Sequence, residues 1–166
     1  MKIGVIGNGY VGGAIAHGFS PASTGTCEVK VHDIIPERSL NTLEDTVNDS
    51  DFVFVSVPTP MNKNGSISLK LIDDAFKQIN GVNRRSDNII ILKSTVIPGS
   101  TEKLQEKFPN LNIVFNPEFL TEKSARLDFI NQTRIVLGGD KIHTARVAEL
   151  FNERFKYCHI IQTDYK

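Results

Sequence analysis

Two carboxylates stand four residues apart in Asn116-Pro117-Glu118-Phe119-Leu120-Thr121-Glu122, with Phe119 and Leu120 between them. On a helix that spacing puts both on one face. A partly desolvated carboxyl among apolar neighbours suits general acid/base work, whereas a glutamate in a helical turn ordinarily stands in water. Spacing alone leaves both readings open. A second chemical group lies at the other end of the chain. The apolar run Ile3 to Ile6 enters Gly7-Asn8-Gly9-Tyr10-Val11-Gly12, a G-x-G-x-x-G turn, and Ala14, Ile15, Ala16 and Phe19 follow with helical spacing. In that pattern Gly7 allows a tight turn, Gly9 lets backbone approach a pyrophosphate, and Gly12 lets the helix pack on its strand. The free N–H groups and positive dipole end of the helix then face phosphate. Glycine turns are common, so the motif alone is weak. Here the next apolar run, Val29 to His32, ends in Asp33, 21 residues after Gly12, where a carboxylate can accept bonds from ribose hydroxyls. Strand, glycine turn, helix, strand and acid in that order predict a dinucleotide site.

Further candidates sit where apolar runs end. Asp51 to Val57 is a continuous apolar run, read as a parallel strand covered on both faces, and it breaks at Pro58-Thr59-Pro60. Open α/β sheets place ligands outside the carboxyl ends of their strands, although an ordinary strand-to-loop exit looks the same. Asn88 to Leu92 leads into Lys93-Ser94-Thr95-Val96-Ile97-Pro98-Gly99-Ser100-Thr101, whose hydroxyls can hold a cofactor or water. Ser100 or Thr101 can equally cap the helix running to Lys107. Arg38, five residues past Asp33, can lie over an adenine face or touch a phosphate, or be a solvated helix-start arginine.

The elements that must position these residues alternate along the chain. Leu43 and Val47 predict a short helix capped by Thr42, with Asp45 three residues on. Ser68 predicts the cap of a helix burying Leu71, Ile72, Ala75, Phe76 and Ile79, closed by a turn from Gly81 to Asp87. Ile113 to Phe115 and Ile135 to Leu137 read as strands, the second closed by Gly138-Gly139. A helix from Lys141 to Arg154 buries Ala145, Ala148, Leu150 and Phe151, and Tyr157 to Gln162 forms the last strand. Ser20 to Thr26 is a turn-rich connection. Strands alternating with helices predict one α/β domain over residues 1–166, a Rossmann-like doubly wound, mainly parallel sheet with helices on both faces.

Composition excludes several classes. Lys+Arg and Asp+Glu both number 19, so no overall field draws in nucleic acid or an anionic membrane surface. No apolar run approaches the length of a membrane span, and the N-terminus enters a strand without a signal peptide. Cys27 and Cys158 form no C-x-x-C or Cys/His ligand spacing, so no metal site is indicated and the expected setting is cytoplasmic and reducing.

Taken together, the motifs resemble the N-terminal domain of the UDP-glucose/GDP-mannose dehydrogenase family. The matching pieces are Gly7 to Gly12, Ser56-Val57-Pro58-Thr59-Pro60, Lys93 to Gly99, Asn116 to Glu122 continuing through Asp128, and Arg134-Ile135-Val136-Leu137-Gly138-Gly139. The resemblance implies oxidation of a nucleotide sugar (a UDP- or GDP-sugar) at C6, through an aldehyde to the carboxylate, reducing two NAD. It implies that Gly7, Asn8, Gly9, Tyr10, Val11 and Gly12 hold NAD, and that Asp33 and Arg38 contact its adenosine half. Val57, Pro58, Thr59, Pro60, Ser94, Thr95 and Val96 would line the cofactor, with Thr95 near the reacting centre. Glu118 resembles the acid/base of thioester hydrolysis, Phe119 and Leu120 line the substrate site, and Glu122 lies where cofactor and substrate meet.

The span from Asp33 to Asp51 is shorter than the family's, Pro58 replaces its usual Asn, and Lys123 its usual Gly. The family's nucleophilic cysteine, catalytic lysine and asparagine, and central helix match nothing in these 166 residues, so a second domain or partner chain would carry the cysteine. Cys27 and Cys158 both begin strands, which in a parallel sheet places them away from the cofactor crevice. A stand-alone NAD-binding module and a hydroxy-acid-type dehydrogenase domain are the alternatives, and the N-P-E-F-L-x-E segment speaks against the latter.

Overall fold

The computed structural model describes residues 1–165. Seven strands and seven α-helices follow one another: β1 Lys2–Ile6, α1 Tyr10–Phe19, α2 Pro21–Thr24, β2 Glu28–His32, α3 Leu43–Asn48, β3 Phe52–Val55, α4 Lys70–Val82, β4 Ile89–Leu92, α5 Ser100–Lys107, β5 Asn112–Phe115, α6 Ala125–Ile130, β6 Arg134–Gly139, α7 Lys141–Arg154 and β7 His159–Thr163. They form one sheet in the order β2-β1-β3-β4-β5-β6-β7. The strand order reverses between β1 and β3, the switch point at which doubly wound sheets open a crevice. The glycine turn after β1 and the Val57–Pro58 loop after β3 flank it.

Alternation along the strands assigns side chains to two faces. Ile3, Val5, Phe52, Phe54, Ile89 and Ile91 join Phe19, Phe129 and Phe151 on the side of α1, α6 and α7. Ile6, Val53, Val55, Ile90 and Leu92 join Val47, Ile72, Phe76 and Leu104 on the side of α3, α4 and α5. Burial on both faces explains why these strands are continuously apolar.

Several expectations need correction. β6 pairs antiparallel to β5, and β7 is parallel to β6, so these last two strands run against β1 to β5. Cys158, at the start of β7, therefore lies at the sheet end where β1 to β5 finish, although two strands beyond β5. Cys27 precedes β2 at the opposite end, buried. Ser68 does not cap α4. Leu69 occupies that position without a side-chain bond, while the Ser68 N–H donates to the Pro60 carbonyl at 2.8 Å. Gly81 belongs to α4, whose buried stripe is Ile72, Phe76 and Ile79, with Leu71 exposed. Neither Ser100 nor Thr101 caps α5. Gly99, at φ +81°, stands at the cap and both hydroxyl residues are buried in the first turn.

On α7 the stripe Thr144, Val147, Ala148 and Phe151 faces the core, which turns Ala145 to solvent. Gly138 and Gly139 are the last residues of β6 rather than a turn after it. The Ser20–Thr26 connection contains α2. Thr42 does cap α3, its hydroxyl oxygen accepting from the Asp45 N–H at 3.1 Å. Between Asp33 and Asp51 the chain holds only a 3-10 turn, Pro36–Arg38, and α3.

Candidate functional site

The glycine turn is held from three sides. The Gly7 N–H donates to the His32 carbonyl at 2.9 Å, fixing the turn to the end of β2. Gly7 sits at φ +91°, and a Cβ there would meet the Ser56 carbonyl oxygen at 2.5 Å. A Cβ on Gly12 would stand 1.8 Å from the Gly7 carbonyl oxygen. Gly9 is different, because a Cβ there would meet nothing within 4 Å. Packing within the fold therefore does not require glycine there, and the space beside it is open. No side chain caps α1 and no acidic residue lies in its first turn, so its N–H groups remain for an anion.

Asp33 closes this end of the groove. It is buried, with Oδ2 accepting from the Asn8 N–H at 2.6 Å and Oδ1 from the Ile35 N–H at 2.8 Å. A carboxylate has about four lone-pair sites, which leaves acceptor capacity for ribose hydroxyls. The Asn8 side-chain amide donates to the Arg38 carbonyl at 2.8 Å, tying the 3-10 turn to the glycine loop. The adjoining cleft, about 470 Å³, has exposed Ile34, Ile35 and Leu71 on its walls together with Asp33, Arg38 and Pro58. An aliphatic slot ending in a carboxylate fits the adenosine half of a dinucleotide.

A second cleft of about 390 Å³ shares Gly9, Arg38, Ser56, Val57 and Pro58 with the first and continues to Lys93, Ser94, Glu118, Leu120 and Glu122. Tyr10, Val11 and Thr59 also line it. The Ser94 hydroxyl donates to the Val57 carbonyl at 2.7 Å, joining the loops after β3 and β4. Other expected residues lie apart. Pro60 and Thr95 are exposed and line neither cleft, and Val96 packs toward α4 and α5. Phe119 is 53% exposed, with the Arg134 guanidinium 4.6 Å from its ring centroid. Residues 116–121 are extended and irregular rather than helical, so Glu118 and Glu122 share a cleft without sharing a helix face.

The far end of the groove is electrostatically unusual. Lys93 is 3% exposed, and its Nζ donates to Asn116 Oδ1 at 3.1 Å and to the Pro117 carbonyl at 3.4 Å. Burial pulls its ammonium down to about 8, with Glu118 acting in the opposite direction. Half-buried Glu118 is pushed up from the ordinary carboxyl value by burial, against the pull of Lys93. Its Oε2 is buried without a hydrogen-bond partner among the described residues. The loop carrying it is pinned at both ends. The Asn116 N–H donates to the Leu92 carbonyl at 2.9 Å and its side chain to the Val136 carbonyl at 2.8 Å. Asp128 accepts from the Thr121 N–H and hydroxyl at 2.9 and 2.8 Å, and these bonds hold its carboxyl below the usual range. Lys93 was not singled out from sequence. Its signal was a lysine directly after the buried run Ile89 to Leu92, where solvent exposure is the exception.

Comparison with known proteins agrees with this architecture. Residues 28–156 match the UDP-glucose/GDP-mannose dehydrogenase family, NAD binding domain. A UDP-glucose 6-dehydrogenase of Bacillus subtilis, YwqF, is 32% identical over 100% of this chain, which spans 45% of that enzyme. A UDP-glucose 6-dehydrogenase of Campylobacter jejuni is 29% identical over 91% of the chain and 45% of its own length. In fold, the UDP-D-ManNAc dehydrogenase of Pyrococcus horikoshii superposes with a TM-score of 0.85 at 21% identity, covering 99% of this chain and 47% of that one. The chain thus spans less than half the length of each of these three relatives. It belongs to the UDP-glucose/GDP-mannose dehydrogenase family, as the NAD-binding domain of that family.

Proposed function

We propose that these residues are the cofactor-binding half of a nucleotide-sugar 6-dehydrogenase, which converts a C6 alcohol to a carboxylate. The observation carrying this reading is the buried, unpartnered Glu118 oxygen at the end of a groove that begins at the glycine turn. NAD, when bound, supplies the hydride acceptor. The α1 N-terminus and the open space at Gly9 receive its pyrophosphate, and Asp33 accepts from the adenosine ribose. Asp33 also selects against a 2′-phosphate, since a dianion against a carboxylate costs on the order of 2–3 kcal/mol even with screening. Leu120 and Glu122 border the sugar, while Thr95, exposed and outside both clefts, takes no part in this reading.

Glu118 acts in the hydrolytic step. It takes one proton from the water that attacks a thioester carbonyl; the C–S bond then breaks with its electron pair going to sulfur, and the second proton passes to that sulfur, leaving a carboxylate and a free thiol. The thiol belongs to a second domain or partner chain. Burial raises the Cys158 thiol, the reverse of an activated nucleophile, and Cys27 is buried at the wrong end of the sheet.

The test incubates the 166-residue chain with NAD and a panel of UDP- and GDP-sugars, following NADH absorbance and uronate by mass spectrometry. NAD binding without uronate is expected, with acid formation appearing once a cysteine-bearing second domain is fused or added. Uronate from the chain alone would place the nucleophile within these residues. Failure of every supplied second domain would favour a stand-alone NAD-binding module.

A further inference from the structure

Lys93 is a buried cation with no buried anion bonded to it among the described residues. Its two acceptors, Asn116 Oδ1 and the Pro117 carbonyl, are neutral, and both begin the loop that carries Glu118. An ammonium has three donors, and no third acceptor bonds it among the described residues. Replacing such a group by an apolar side chain of similar volume is often neutral or stabilising, so its presence in a ligand cleft points to a task. The cleft it lines is the one that Glu118 lines. Arg38 from the 3-10 turn, Tyr10 from α1 and Glu122 from the loop are the other titratable groups there, all exposed at the mouth.

We propose that Lys93 is a positioning residue for the base: it clamps the start of the 117–122 loop through Asn116 and Pro117, and its positive charge favours the ionised, proton-accepting Glu118. Glu118 alone would drift toward its neutral form, because burial disfavours the charge and no donor among the described residues reaches Oε2. The ammonium at the end of β4 counters this without occupying the carboxylate's lone pairs, which remain free for a water. The inference rests on the reading of Glu118 as a base.

The test is a pH titration of the free chain labelled with [δ-13C]glutamate, the Glu118 signal being assigned by its absence in Glu118→Gln. In Lys93→Gln, which keeps an amide donor but no charge, the Glu118 midpoint should shift upward while the 116–120 backbone amides stay in place. In Lys93→Met the midpoint should shift upward and those amides should move as well. The unmodified chain should show a second step in the Glu118 signal near pH 8, where Lys93 loses its proton, absent from Lys93→Gln. That step needs no variant to fold. An unchanged midpoint in Lys93→Gln, or a Glu118 signal that stays flat in the unmodified chain as Lys93 loses its proton, would overturn the proposal. Neither NAD nor sugar is present, so a wrong dehydrogenase reading would show in ligand titrations and not here.

Discussion

At the glycine end of the groove, both oxygens of Asp33 accept from backbone N–H groups, and Asn8 ties the loop to Arg38. At the other end, Glu118 keeps a buried oxygen without a partner among the described residues, and Lys93 is a buried ammonium between two neutral acceptors. The first region satisfies its own polar groups and offers a ligand what remains: uncapped N–H groups, spare lone pairs and an open space at Gly9. The second leaves polar groups under-satisfied, a common cost where a titratable group must exchange protons. On the proposed reading, the contrast separates holding a ligand from reacting with one. Substitutions at the glycine end should therefore divide into those that break the fold and those that break binding, while neutralising the other end should stabilise the chain.

The largest effect is expected at Gly12. An alanine Cβ would stand 1.8 Å from the Gly7 carbonyl oxygen, a backbone atom, with Val5 Cγ1 at 3.1 Å, so Gly12→Ala should lose the cooperative thermal transition in circular dichroism. Gly9→Val should keep that transition and lose NAD binding by at least about 100-fold, roughly 2.7 kcal/mol, because its side chain enters only the ligand space. A Gly9→Val chain that folds and binds normally would move the phosphates elsewhere.

Asp33→Ala leaves the Asn8 and Ile35 N–H groups without their acceptor and should cost about 1–3 kcal/mol in urea unfolding. Asp33→Asn should narrow the preference for NAD over NADP in calorimetric titrations. Glu118→Gln should raise the melting temperature at pH 7. The sign follows from burial: the folded chain holds the Glu118 proton more tightly than the unfolded chain, so the ionised form costs stability at neutral pH. The gain should vanish as the pH falls below the ordinary carboxyl value, where both states are protonated.

The smallest effect belongs to Asp128→Asn. Its lowered carboxyl contributes stability above the ordinary value and loses it as the pH falls, so the variant should flatten the acid limb of the stability curve slightly. Being only partly buried, it is screened, and thermal melts between pH 3 and 6 should show only a small difference (about 1 °C, well under the 2–4 °C per kcal/mol expected at this size).

What was legible in the sequence follows the same division. The glycine turn, the strand ending at Asp33 and the apolar runs of β3 and β4 depend on local pattern, so the Rossmann-like fold could be read directly. Direction was not local: Ile135 to Leu137 reads as a strand either way, and only its pairing with Phe115 shows that it runs antiparallel. Ser68, Ser100 and Thr101 had the chemistry of caps, yet the Pro60 carbonyl holds the Ser68 N–H and Gly99 adopts the left-handed cap. Glu118 and Glu122 were named from spacing and resemblance. The Lys93 clamp was not visible, because a lysine's burial depends on the loop folded over it.

The most direct measurement is calorimetric titration of NAD into the unmodified chain, Gly9→Val and Glu118→Gln, with each fold checked beforehand. The unmodified chain and Glu118→Gln should bind with similar affinity, and Gly9→Val should show no heat of binding. Normal binding by a folded Gly9→Val, or loss of binding in Glu118→Gln alone, would contradict the separation of holding from reacting.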